Sequence, residues 1–156
     1  MTIRNIESAD RAALVQLLVR IEQFKQDEVA VALELVDAAL SDPASGYHAL
    51  VAHDAGELAG YICFGPTPMT EATWDLYWMA VAPELQGRGL GRALYDAFVA
   101  FMSARGGRQI RIETSSQESY AATGGFYERL GFALAARLGD FYASGDDLLI
   151  FYRKIC

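Results

Sequence analysis

The chain has 156 residues, of which 53% are hydrophobic and 21% charged. That length corresponds to about one domain, here residues 1–156, with a sizeable core, and the apolar share excludes general disorder. Thirteen Lys and Arg against 20 Asp and Glu give a net charge of −7, which argues against a nucleic-acid partner, because phosphate binding calls for a basic footprint. The acidity permits a cationic substrate, although many proteins are acidic without functional consequence. Cys63 and Cys156 are too few and too separated for a disulfide framework or a metal site, so no metal is expected. The segment Met1–Ile6 lacks the apolar centre of a signal peptide, and no apolar stretch approaches the ~20 residues that span a bilayer. The expected setting is cytoplasmic, with no membrane partner.

The elements follow in chain order. Residues 2–7 alternate weakly as a short strand. Ser8 can cap a helix in which Leu14, Leu17, Leu18, Ile21 and Phe24 recur at helical spacing. A second helix is predicted from about Gln26 to Leu40 and is stopped by Ser41-Asp42-Pro43. A hairpin follows, with strands His48–Asp54 and Glu57–Phe64 around Ala55-Gly56. After the break at Gly65-Pro66-Thr67-Pro68, the aromatic run Trp74–Val81 reads as a strand, with Trp74 and Trp78 on one face and Tyr77 on the other. Leu90, Leu94, Phe98 and Phe101 mark a helix that Gly106-Gly107 ends. Gln109–Thr114 is a strand, Tyr120–Leu130 a helix capped by Gly131, and Phe132–Tyr142 and Leu148–Ile155 are closing strands. Asp146-Asp147 reads as part of the turn between them. The order β α α β β β α β α β β predicts an α/β fold with a mixed sheet and helices on both faces.

The stretch richest in chemistry is Gln86-Gly87-Arg88-Gly89-Leu90-Gly91-Arg92, which lies between a strand and a helix. Glycines allow close backbone approach, and the first helical turn offers unpaired N–H groups and the positive end of the dipole. Together they suit a phosphate or pyrophosphate, with Arg88 and Arg92 adding positive charge. A P-loop would place Lys-Ser/Thr after the glycines, and a dinucleotide fingerprint would space them differently near a first strand.

The pattern Gln86-x-x-Gly89-x-Gly91 resembles the coenzyme A pyrophosphate signature of the GNAT acetyltransferase superfamily, Arg/Gln-x-x-Gly-x-Gly/Ala. One strand downstream, Phe126-Tyr127-Glu128-Arg129-Leu130-Gly131-Phe132 is similar to that superfamily's later helix. The two motifs lie between Trp74 and Phe132, and the order of elements fits over the whole chain. The resemblance implies a mostly antiparallel mixed sheet with a splayed parallel pair, strands 74–81 and 109–114. It implies acetyl-CoA as co-substrate, held by Met79, Ala80 and Val81 along the pantetheine arm. Gln86 to Arg92, including Leu90, would hold the pyrophosphate. Direct attack by an amine on the thioester needs a base, carbonyl polarisation and an acid for the departing thiolate. Tyr127 matches the family's usual general acid, although it also reads as a core aromatic. Asp75 sits where some branches carry a glutamate base, although it also reads as a solvated or salt-bridged carboxylate at a strand start. Glu113 is a second candidate base. The family's later motif commonly carries Asn and Ala where this chain has Tyr120 and Thr123, both still able to hydrogen-bond the cofactor. The acceptor would be an amine on a small molecule or a protein, and a homodimer is one assembly the resemblance allows. Two other readings share the phosphate-binding feature: a non-catalytic acyl-CoA-binding domain of the same fold, and an unrelated phosphate-ligand module.

The remaining chemistry-bearing residues read as structural. Cys63 lies in an apolar strand with no histidine nearby in sequence to activate it. His48 and His53 flank a hairpin strand. Phe24, Tyr47, Tyr61 and Tyr142 are candidate walls of an acceptor pocket, without a basis in the sequence for choosing among them.

Overall fold

The computed structural model describes residues 1–155, so Cys156 lies outside the described residues. Strands β1 (Thr2–Asn5), β2 (His48–Asp54), β3 (Glu57–Pro66), β4 (Thr73–Val81), β5 (Gln109–Ser115), β6 (Ala133–Ala143) and β7 (Asp146–Lys154) form one sheet. Its order is β1-β2-β3-β4-β5-β7-β6, and β4–β5 is parallel while every other neighbouring pair is antiparallel. The helices are α1 (Arg11–Val19), α2 (Gln26–Ser41), α3 (Leu90–Ser103) and α4 (Ala121–Arg129). Among the described residues no helix is long and apolar enough to cross a membrane.

The two-residue period of the strands builds two cores. In β2 and β3, Leu50, Ala52, Ile62 and Phe64 face α3 and α4, joining Leu94, Phe98, Met102 and Tyr127. Their neighbours Val51, Tyr61 and Cys63 face the other way, onto Leu14, Leu17 and Leu18 of α1 and Ala32 and Val36 of α2. Helices therefore cover both faces, as the sequence order predicts.

The first helix differs from expectation at both ends. The cap is not Ser8: a 3₁₀ turn over Ser8–Asp10 precedes α1, and the Asp10 carboxylate accepts the Glu7 N–H at 2.8 Å. Arg4 donates two hydrogen bonds to the same carboxylate, and these bonds hold it below the usual carboxylate range. At the other end α1 stops at Val19, and Ile21 and Phe24 lie in the connection to α2. There the chain tightens into i→i+3 bonds, Ile21 N–H to Leu18 O and Phe24 N–H to Ile21 O. Ile21 stays buried, so the helical spacing marked burial beyond the helix itself.

Strand β4 also departs from simple alternation. Cys63 of β3 pairs with Trp78 while Phe64 pairs with Leu76, which leaves Tyr77 as an extra residue, a β-bulge. Trp74 and Leu76 consequently face α3, whereas Trp78 and Ala80 face α1 and α2. The expectation that Trp74 and Trp78 share a face fails for this reason.

Strand β4 pairs with β5 only at Thr73–Gln109, Trp74–Ile110 and Asp75–Arg111. Beyond that point β3 is its only strand neighbour among the described residues. At the last paired position the Asp75 carboxylate, in a residue 6% exposed, accepts Arg111 Nε at 2.7 Å, Arg111 Nη2 at 3.2 Å and Thr67 Oγ1 at 2.7 Å. The strands are thus pinned just before they part.

Two stability effects follow. Asp75→Ala would leave the Arg111 guanidinium without its counter-charge; because Arg111 is partly exposed, the loss should be about 2–3 kcal/mol, below the range for fully buried pairs, measured by urea unfolding. Tyr61 is fully buried and its hydroxyl has no hydrogen-bond partner among the described residues. Tyr61→Phe should raise stability by about 1 kcal/mol, and a loss instead would mean that the hydroxyl is satisfied in solution.

Candidate active site

A cleft of about 780 Å³ opens where β4 and β5 diverge, within the size range of small-molecule and cofactor sites. One wall is the outer part of β4, from Tyr77 to Val81. Its backbone edge toward β5 lacks a strand partner, so an extended chain bearing amides can add to it as a further strand would.

The glycine turn closes one end. Gly87 and Gly89 take positive φ angles of 79° and 84°, which L side chains rarely adopt. Gln86 Nε2 donates to the Val81 carbonyl at 3.2 Å and so fastens the turn to the end of β4. The first backbone bond of α3 runs from Ala93 N–H to Gly89 O at 3.0 Å. The N–H groups of Leu90, Gly91 and Arg92 therefore precede the helical ladder and are available to an anion. Arg92 lines the cleft and pairs with Asp96 at 3.2 Å on the exposed face of α3.

The structure brings most of the expected site residues together. Met79, Ala80 and Val81 line the cleft, as do Gln86, Gly87, Gly89, Gly91 and Arg92. Tyr120, Thr123 and Tyr127 line the opposite side. Three expected residues do not line it. The Arg88 side chain is exposed, Leu90 packs into the α3 core, and Asp75 is held in its ion pair below the divergence. The Asp75 carboxylate is saturated by Arg111 and Thr67, which removes the geometric basis for using it as the base.

Tyr127 stands on α4 with its ring near Phe126, Phe132 and Phe151 and the residue 6% exposed. Burial pushes its phenol well above the ordinary value, which favours the neutral hydroxyl. Glu113, on β5 past the divergence, also lines the cleft. Its nearest cation is Arg111 Nη1 at 3.8 Å, a loose contact because that guanidinium is committed to Asp75. Cys63 is fully buried in the core facing α1, and burial pushes its thiol up to about 12, which leaves it neutral and unreactive.

Several cleft residues lie outside the motifs. Asp27 and Glu28 come from the first turn of α2, and Tyr120 Oη donates to the Glu28 carboxylate across the cleft, with the Gln23 carbonyl 3.3 Å away. The Tyr120 hydroxyl is thus engaged with α2. Phe24 and Tyr142 line the cleft, while Tyr61 lies in the core facing α1 and Tyr47 packs edge-on to Tyr77 outside it. Tyr142 arrives through a wide bulge in β6. Leu138 pairs with Leu148 and Ala143 with Asp146, so Gly139 to Tyr142 oppose the single residue Asp147. The Asp147 carboxylate accepts the Asp140 N–H at 2.8 Å and Arg137 Nε at 2.6 Å, which fixes the bulge. Asp146, read from the sequence as a turn residue, is the first residue of β7 and faces the cleft. Tyr142 and Asp146 reach the cleft through pairing between distant strands, and Asp27 and Glu28 through the placement of α2, so no local motif marks the acidic residues.

Comparison with known proteins agrees with this geometry. A Desulfovibrio desulfuricans protein of solved structure, assigned to the GNAT acetyltransferases, superposes with a TM-score of 0.94 at 41% identity over 99% of both chains. An aminoglycoside 6'-N-acetyltransferase complexed with coenzyme A shares the fold, with a TM-score of 0.79 at 19% identity over 100% of this chain and 98% of that one. N-alpha-acetyltransferase 30 of Schizosaccharomyces pombe is 36% identical over 69 residues, 44% of this chain; the match spans 45% of that enzyme's length. The profile of the acetyltransferase (GNAT) family matches residues 11–132, and with the splayed strands, the glycine turn and the tyrosine of α4 in one cleft, the chain belongs to that family of acyltransferase enzymes.

Proposed function

We propose that the chain transfers an acetyl group from acetyl-CoA directly to an amine of a small molecule or protein. The observation that carries this reading is the single cleft in which an unpaired strand edge, an anion-ready helix start and a buried phenol meet. The pantetheine amides add to β4 along Met79 to Val81. The pyrophosphate sits on the N–H groups at the start of α3, with Arg92 beside it. The thioester is thereby led toward the point where β4 and β5 separate.

Glu113 takes a proton from the acceptor ammonium, directly or through one water, in place of the committed Asp75. The free amine attacks the thioester carbonyl, forming the C–N bond, and the tetrahedral intermediate collapses by breaking the C–S bond. Tyr127 donates a hydrogen bond to the departing sulfur. Its raised pKa makes it a donor that stabilises the developing thiolate rather than a strong proton source. The nitrogen loses its second proton to solvent as the amide forms, which balances the thiolate released.

Calorimetry should show acetyl-CoA binding, and absence of binding at high micromolar concentration would exclude the reading. Tyr127→Phe should lower kcat by about 10²-fold or more with cofactor affinity little changed; unchanged turnover would move the acid role to another group or to solvent. Glu113→Gln should lower kcat by about 10²-fold with CoA affinity little changed. If turnover is unchanged, the base lies elsewhere.

A further inference from the structure

We infer that the acceptor carries a second positive charge, held at a negative pole formed by carboxylates that line the cleft. This rests on the acetyl-transfer reading above and narrows its acceptor to diamines and polyamines or comparable polycations.

Asp146 carries most of the case. It is 9% exposed and lines the cleft. Its side-chain partner is the neutral Ser115 hydroxyl, which donates to Oδ1. Among the described residues it has no Lys, Arg or His within ion-pair distance, unlike the other buried carboxylates Asp10, paired with Arg4, and Asp75, paired with Arg111. A largely buried carboxylate whose one side-chain partner is a neutral hydroxyl leaves a place for a cationic ligand in the cleft.

The surroundings extend the pole. Burial is the main cause that raises the Tyr142 and Tyr120 phenols, and nearby carboxylates add to it, Glu113, Asp146 and Glu28 at Tyr142 and Glu28 and Asp146 at Tyr120. Carboxylates from α2, β5 and β7 therefore act on one space. Asp27 adds a fourth at the cleft wall, against the single amine of Lys25. Of the nearby arginines, Arg111 is engaged by Asp75 and only loosely contacts Glu113, and Arg92 stands at the start of α3. Among the described residues no three His, Cys, Asp or Glu side chains come close enough to hold a metal ion. The negative charge is spread along a wall, which suits an extended organic cation. Tyr120 and Tyr142 offer ring faces to its ammonium and methylene groups.

The test is calorimetry on protein saturated with CoA, which fills the cofactor side without turnover. Diaminobutane should bind at least about tenfold tighter than aminobutane, consistent with one added charge contact, and γ-aminobutanoate should bind weakest. Asp146→Asn keeps the Ser115 bond and should cut the diamine preference to within about threefold, with CoA affinity unchanged. Glu28→Gln should reduce it as well. Equal affinities for diamine and monoamine in the native protein would overturn the inference, as would a preference retained in both variants. Failure of CoA itself to bind would overturn the acetyl-transfer reading, and the inference with it; that failure shows before any amine is added.

Discussion

The cleft depends on an interrupted sheet, and the interruption begins just past the ion pair between Asp75 and Arg111. A parallel pair in mid-sheet would ordinarily stay hydrogen-bonded along its length. Here β4 and β5 share three paired positions and then separate. The pair at the vertex holds the strands at a fixed spacing where the ladder ends, and Thr67 completes the carboxylate's hydrogen bonds from the loop before β4. A buried pair is weak evidence for net stability, because desolvation opposes it. Its value here is positional: it sets where the opening begins.

The bulge at Tyr77 lies two residues beyond that vertex. One extra residue bends the strand and reverses which side chains face each core. It lets β4 supply Trp74 and Leu76 to the α3 core, then Trp78 and Ala80 to the α1 and α2 core. It also turns the strand away from β5, so its free edge faces the cleft. The ion pair, the bulge and the glycine turn thus act in series over residues 75–91.

Much of this was legible in the sequence, and the unevenness has physical causes. Element order and the two-core arrangement follow from apolar periodicity, which is local. The glycine turn was legible because positive φ angles select glycine at Gly87 and Gly89. Tyr127 could be singled out because it sits within a longer motif. A salt bridge was one of the readings open for Asp75, but its partner could not be read, since Arg111 is 36 residues away and becomes its neighbour only through parallel pairing. Asp146 was hidden for a similar reason: its neighbours Ser115 and Tyr142 reach it through β5–β7 pairing and a four-residue bulge in β6. The alternation of Trp74 and Trp78 failed because a bulge leaves no mark in a run of apolar and aromatic residues.

The charge of the chain is also arranged rather than merely negative. Around the start of α3 the cleft presents unpaired N–H groups and Arg92. The same cleft is lined by Asp27, Glu28, Glu113 and Asp146, carried on three separate elements. A polyanionic cofactor and a cationic acceptor would then enter one cleft, each drawn to groups of opposite sign. That arrangement gives a surface with a net charge of −7 a way to bind a negatively charged cofactor, because affinity is decided by the local field at the helix start and not by the total.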